Sequence, residues 1–177
     1  MAAIDAAAAS DIPIVVVQHT GGDEAPIFNP TTDGFATHPE VASRQDASWH
    51  AIVKEYSSVF PGTGLLDWLH SNAIDTITLV GYMTNNCVLA SAADAEFVGF
   101  EIEVLSDATG AINLANAAGT ADAKTVHTVL MTLLNSSWAS VANTDAWIAA
   151  VAAGEPLSGN DLGSSAAAGA AAVSAER

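Results

Sequence analysis

Residues 76–98 read TITLVGYMTNNCVLASAADAEFV, and the fold turns on how this stretch divides. Thr76 to Val80 is a short run of β-branched and aliphatic residues closed by Gly81, which predicts a strand. From Asn85 to Val98 the apolar residues Val88, Ala92, Ala95 and Val98 recur at helical spacing, and Gly99 ends the run, which predicts a helix. A strand that feeds a helix after a few residues is half of a βαβ unit. Cys87, the single cysteine of the chain, falls at the junction.

The same alternation extends in both directions. Upstream, Ala2 to Ser10 is helix-prone, Ile12 to Gln18 (IPIVVVQ) reads as a strand covered on both faces, and Trp49 to Lys54 reads as another strand. Residues 20–47 are rich in Gly, Pro, Thr, Asn and Asp, so a long loop is expected there, with one helical turn near Pro39 to Ser43. Leu65, Leu66 and Leu69 place a helix over Gly62 to His70. Downstream come a strand over Phe100 to Leu105, a helix over Thr120 to Asn135, a strand over Trp138 to Ala142, and a helix over Thr144 to Ala153 with Thr144 as its cap. Strands alternating with helices predict an α/β fold: a Rossmann-like parallel sheet covered by helices on both faces. One domain is expected over 1–153. The Ala/Gly/Ser-rich stretch 154–177 is expected as a flexible tail, or a frayed helix.

Composition narrows the function. Twenty acidic residues against four basic ones give a formal net charge of -16, so nucleic acid and anionic membrane surfaces would be repelled. The apolar N-terminal stretch carries Asp5 and Asp11 and lacks a basic n-region, unlike a secretory leader. No apolar run is long enough to span a bilayer. A cytoplasmic protein acting on a small molecule is therefore expected. One cysteine excludes an internal disulfide and any multi-cysteine metal site.

In parallel α/β sheets ligands bind beyond the carboxyl ends of the strands, and Cys87 lies at such an end. A helix N-terminus offers unpaired N–H groups and a partial positive charge, which favour the reactive thiolate. A small buried filler at a tight junction is the competing local reading. Lys54, one of three cations before Arg177, ends a predicted strand and would emerge at the same kind of edge. There it would either be solvated or stabilise negative charge.

Two segments then carry a family resemblance. KEYSSVFPGTGL at 54–65 and LVGYMTNNCVLASAADAEFVGFEIEVLSDAT at 79–109 resemble the isochorismatase-like cysteine hydrolases, a group that includes nicotinamidases and N-carbamoyl amidohydrolases. The specific elements are the lysine, S-x-x-F-x-G-T and G-x-x-T-x-x-C-V, within a similarity running from about Ile12 to Ile148. The resemblance implies Cys87 as nucleophile, forming a thioester that water hydrolyses, and Lys54 as its cationic partner. It implies a cis peptide between Tyr82 and Met83, and an oxyanion hole made by the N–H groups of Met83 and Cys87. Tyr56, Ser57, Phe60 and Asn86 match positions that shape the substrate pocket. No cofactor is implied, and a homo-oligomer is.

The family's general base is an Asp at the end of a first strand, and no segment here matches it. Asp5 is a superficial match, but the stretch from Ala6 to Pro13 is shorter than the roughly ten to twelve residues a parallel crossover needs. The expectation is that this sequence begins downstream of that strand, and that the whole protein is an amidohydrolase cleaving a C–N bond. The alternative is a catalytically impaired relative that builds oligomers. No metal is expected: His19 and His38 read as solvated loop residues in place of the Asp-x-His set of nicotinamidases. His50, His70 and His127 read as structural or surface residues, Asn85 as a helix cap, and Trp68, Trp138 and Trp147 as core.

Overall fold

In a computed structural model that describes residues 1–175, the chain divides into two compact units, Met1–Ile74 and the part from Asp75 onward. Both are α/β, and apart from one short hairpin every strand pairing is parallel.

The first unit opens with helix α1 (Ala2–Ala9), where the best helix-forming residue dominates and Ala3 and Ala7, one turn apart, face inward. Strand β1 (Val15–His19) follows, then a short helix α2 (Pro39–Ala42), strand β2 (His50–Lys54) and helix α3 (Leu65–Ser71), whose Leu65 and Leu69 are buried. β1 and β2 pair in parallel from Val15↔His50 to His19↔Lys54. Along β2, exposed Ala51 and Val53 alternate with buried Ile52 and Lys54. The two-residue period of a strand thus carries a lysine onto the covered face. The loop between β1 and α2 is tied down by polar side chains. Asn29 donates to the carbonyl of Asp23 and accepts from the N–H and hydroxyl of Thr31, while Gln18 Nε2 donates to the carbonyl of Phe35.

The second unit runs through β3 (Thr76–Tyr82), a π-helical turn (Thr84–Val88), α4 (Leu89–Val98) and β4 (Glu101–Gly110). It continues with the hairpin β5 (Leu114–Asn116) and β6 (Gly119–Ala121), then α5 (Ala123–Asn135), β7 (Ser140–Ala142), α6 (Thr144–Ala153) and α7 (Leu162–Ala175). The sheet order is β3-β4-β7. Four consecutive residues of β4, Ile102 to Leu105, are buried, as expected of a strand covered on both faces, and α4, α5 and α6 pack against it. Gly99 takes a left-handed conformation (φ 84°) to stop α4, and its N–H donates to the carbonyl of Ala95.

Several boundaries differ from the sequence reading. β4 extends to Gly110, and a hairpin occupies 114–121, so α5 begins at Ala123 instead of Thr120, capped by Asp122 Oδ1 at 2.7 Å from Thr125 N. Asn143, rather than Thr144, caps α6 by accepting from Ala146 N at 2.8 Å. Thr144 is drawn off to Asp107 Oδ1, to which it donates both N–H and hydroxyl at 2.8 and 2.7 Å. Within the stretch read as a tail, the Leu157 N–H donates to Glu103 Oε1, and α7 is exposed along nearly its whole length. Residues 176 and 177 of that stretch lie outside the described residues.

Candidate active site

The turn that carries Cys87 is built from unusual backbone. β3 ends at Tyr82, the Tyr82–Met83 peptide bond is cis, and the next five residues form the π-helical turn. Val88 N–H donates to Met83 O at 3.3 Å, and Leu89 N–H reaches Thr84 O, both across five residues. Such widened turns recur at functional sites because they displace a side chain from regular helical register. The turn runs directly into α4, so Cys87, partly buried, stands at the N-terminal end of a helix.

Side chains fasten this turn to its surroundings. Thr84 is fully buried, and its hydroxyl lies 3.0 Å from His127 Nδ1 on α5. His127 Nε2 lies 2.9 Å from the carbonyl of Ser106 on β4. Asn85 Oδ1 accepts from Ile112 N at 3.2 Å, so this side chain ties the turn to the residues after β4 instead of capping the helix. Asn86 is partly buried and donates its N–H to Met83 O at 3.1 Å. In sequence His127 lies 43 residues from Thr84, and no local pattern links the two, so the sequence marks it only as a structural or surface residue.

Lys54 belongs to the first unit, where it is 3% exposed. Its ammonium donates to the carbonyls of Tyr56 at 2.8 Å and Ser57 at 3.0 Å, and reaches His19 Nδ1 at 3.4 Å. The β1–β2 register explains the last contact, since His19 and Lys54 are directly paired at the strand ends. Burial, and then the lysine's charge, hold the His19 imidazole below its ordinary pKa, which suits a ring whose Nδ1 lone pair accepts from an ammonium. The ring also meets Phe28 edge-on, with centroids 4.9 Å apart. His19 is therefore a partner of Lys54, not a solvated loop residue.

The motif after Lys54 is equally fixed. Thr63 Oγ1 donates to Val59 O at 2.6 Å and accepts from Leu65 N at 3.2 Å, closing the turn that leads into α3. Phe60 and Ser58 are buried, whereas Tyr56 is 61% exposed and Ser57 is exposed. Asp5 lies within α1 and bonds Arg44 at 2.6 Å, so it is a surface ion-pair partner. His38 is exposed and caps α2, His70 is exposed on α3, and His50 stacks on Trp68 with centroids 4.6 Å apart. Among the described residues, no group of three or more His, Cys, Asp or Glu is arranged to hold a metal ion.

The chain matches the family model of the Isochorismatase domain over residues 2–146. It is 31% identical over 133 residues to the uncharacterized isochorismatase family protein YrdC of Bacillus subtilis, covering 75% of this chain and 70% of that protein. Among solved structures, an isochorismatase-type protein of Burkholderia xenovorans LB400 superposes with a TM-score of 0.92 at 39% identity, covering 97% of this chain and 82% of the other. N-carbamoylsarcosine amidase of Thermoplasma acidophilum superposes with a TM-score of 0.65 at 26% identity, covering 81% and 79%.

Proposed function

This chain belongs to the isochorismatase family, and from that premise we propose that it is a cysteine hydrolase that cleaves an amide-like C–N bond of a small molecule. The observation that carries the reading is the position of Cys87: partly buried, on a widened turn at the N-terminal end of α4, within G-x-x-T-x-x-C-V. In this reading the Cys87 thiolate attacks the carbonyl carbon, and the negative charge moves to the carbonyl oxygen, where the Met83 and Cys87 N–H groups receive it. The C–N bond then breaks, the amine leaves with the proton that the Cys87 thiol gave up on becoming a thiolate, and an acyl thioester remains on Cys87. Water adds to the thioester, the C–S bond breaks, and acid and thiol are released. Lys54 supplies the positive charge of the site, with its ammonium oriented by the carbonyls of Tyr56 and Ser57. Tyr56, Ser57, Phe60 and Asn86 are assigned to the pocket. The N-carbamoylsarcosine amidase likeness supports C–N cleavage as the reaction class. The protein is further assigned to the cytoplasm as a homo-oligomer; among the described residues no helix is long and apolar enough to cross a membrane.

A second reading, a relative without turnover that builds oligomers, is favoured by one observation. Among the described residues no β-strand ends in an Asp that would take the thiol proton. A panel of small amides, ureides and nicotinamide, offered to the wild type and to Cys87→Ser with intact-mass detection of acyl adducts, separates the two. The hydrolase reading expects turnover and an adduct of the wild type, both lost in Cys87→Ser. Turnover undiminished in Cys87→Ser would sink the nucleophile assignment, and an inert wild type across the panel would favour the second reading.

A further inference from the structure

The geometry points to His127 as a positioning residue that holds the Cys87 turn in register through the hydroxyl of Thr84. Three observations within the second unit carry this. First, the β3–β4 register jumps from Leu79↔Val104 to Gly81↔Thr109, so β4 bulges between those pairs. Ser106 lies inside the bulge, and its carbonyl faces His127 Nε2 at 2.9 Å. Bulges of this kind break the ladder locally and re-aim what lies beside them.

Second, a carbonyl oxygen only accepts, so Nε2 must carry the proton. In the neutral ring Nδ1 is then a lone pair, and the Thr84 hydroxyl donates to it at 3.0 Å. The bulge therefore selects one tautomer, and the tautomer fixes the direction of the Thr84 bond. Third, Thr84 has no exposed surface, so its hydroxyl cannot turn to water if the ring is removed. Thr84 also opens the π-helical turn, and its carbonyl receives the Leu89 N–H across that turn. A shift of Thr84 is thus transmitted to Cys87 through the backbone between them.

This inference rests on the hydrolase reading for its effect on turnover, but the anchoring itself can be read without any substrate. His127→Gln keeps an N–H for Ser106 but carries its acceptor oxygen on Cδ, one bond beyond the place of Nδ1, so the bond from Thr84 is lost; Thr84→Val keeps the shape and loses the hydroxyl. Each is expected to speed hydrogen exchange of the Asn86 and Val88 amides about fivefold, the fold-change of one lost hydrogen bond, while the amides of β4 stay as in the wild type. In the amide assay each is expected to lower kcat about tenfold to a hundredfold, as small misplacements of reacting groups do, with KM little changed. Thr84→Ser should recover most of that loss, and the double variant should be no worse than either single one, because both break the same link.

Unchanged exchange at residues 83–88 in both variants would overturn the anchoring. Additive losses in the double variant would overturn the path through Thr84. Faster local exchange together with a wild type inert across the amide panel would leave the anchor standing and remove the hydrolase reading.

Discussion

Lys54 is a cation kept out of water, and what surrounds it explains how that is tolerated. Two carbonyls and the lone pair of His19 replace its hydration. Lys54→Met would fill the space but leave the carbonyls of Tyr56 and Ser57 short of a donor, so a loss of about 1–3 kcal/mol in urea unfolding is expected, along with loss of turnover. The same cluster makes a pH prediction. Burial and the lysine's charge depress the folded-state pKa of His19 below its ordinary value. Above about pH 6.5 the ring is neutral in both folded and unfolded chains and contributes nothing. Below it the unfolded chain binds the proton first, so stability falls as pH falls, down to the depressed folded value. His19→Asn, which keeps an acceptor near Nδ1 and does not titrate, should flatten that part of a stability-versus-pH curve measured by urea unfolding. A slope equal to that of the wild type would assign it to other groups.

At the scale of the elements, β4 shows both what the sequence tells and what it conceals. The run FEIEVL signals a strand, but nothing local in it marks Glu103, which is only 8% exposed, as a buried carboxylate. Its carboxylate accepts from Trp147 Nε1 at 2.9 Å, Thr78 Oγ1 at 2.7 Å and Leu157 N at 3.1 Å, joining α6, β3 and the segment after α6. These partners lie 25 to 54 residues away, beyond the reach of any local pattern. The hairpin at 114–121 leaves no sequence signal for a related reason: its strands are three residues each, too short for alternation to register. By contrast, the Cys87 junction was legible, because its strand, glycine and helical spacing are contiguous. Glu103→Gln is an informative substitution, since all three partners donate and the new amide NH₂ must face one of them. A destabilisation of about 1.5–3 kcal/mol is expected, the worth of bonds to a charged group, with faster proteolysis between Glu155 and Asp161. Glu96→Gln, whose carboxylate accepts from Trp138 Nε1 at 3.1 Å on the surface, should cost far less.

For the molecule as a whole, charge is the quantity that composition states most plainly. The formal net charge is -16, and among the described residues two cations are held by specific partners: Arg44 bonds Asp5, and Lys54 is buried among carbonyls. Acidic groups therefore far outnumber the charges that could balance them, and self-repulsion opposes the folded state. Raising sodium chloride from about 0.01 to 1 M shortens the Debye length from about 30 to 3 Å, which removes most of that repulsion. The Arg44–Asp5 pair is weakened by the same salt, but an exposed pair is worth only about 0–1 kcal/mol, so the relief of repulsion decides the sign. The melting temperature should rise with salt, by about 2–4 °C for each kcal/mol gained in a chain of this size. Replacing chloride by sulfate at equal ionic strength separates screening from ion-specific stabilisation. A melting temperature that is flat or falls with sodium chloride would mean that the acidic groups are spaced well enough not to repel, or that the protein gains more from its few ion pairs than their number suggests.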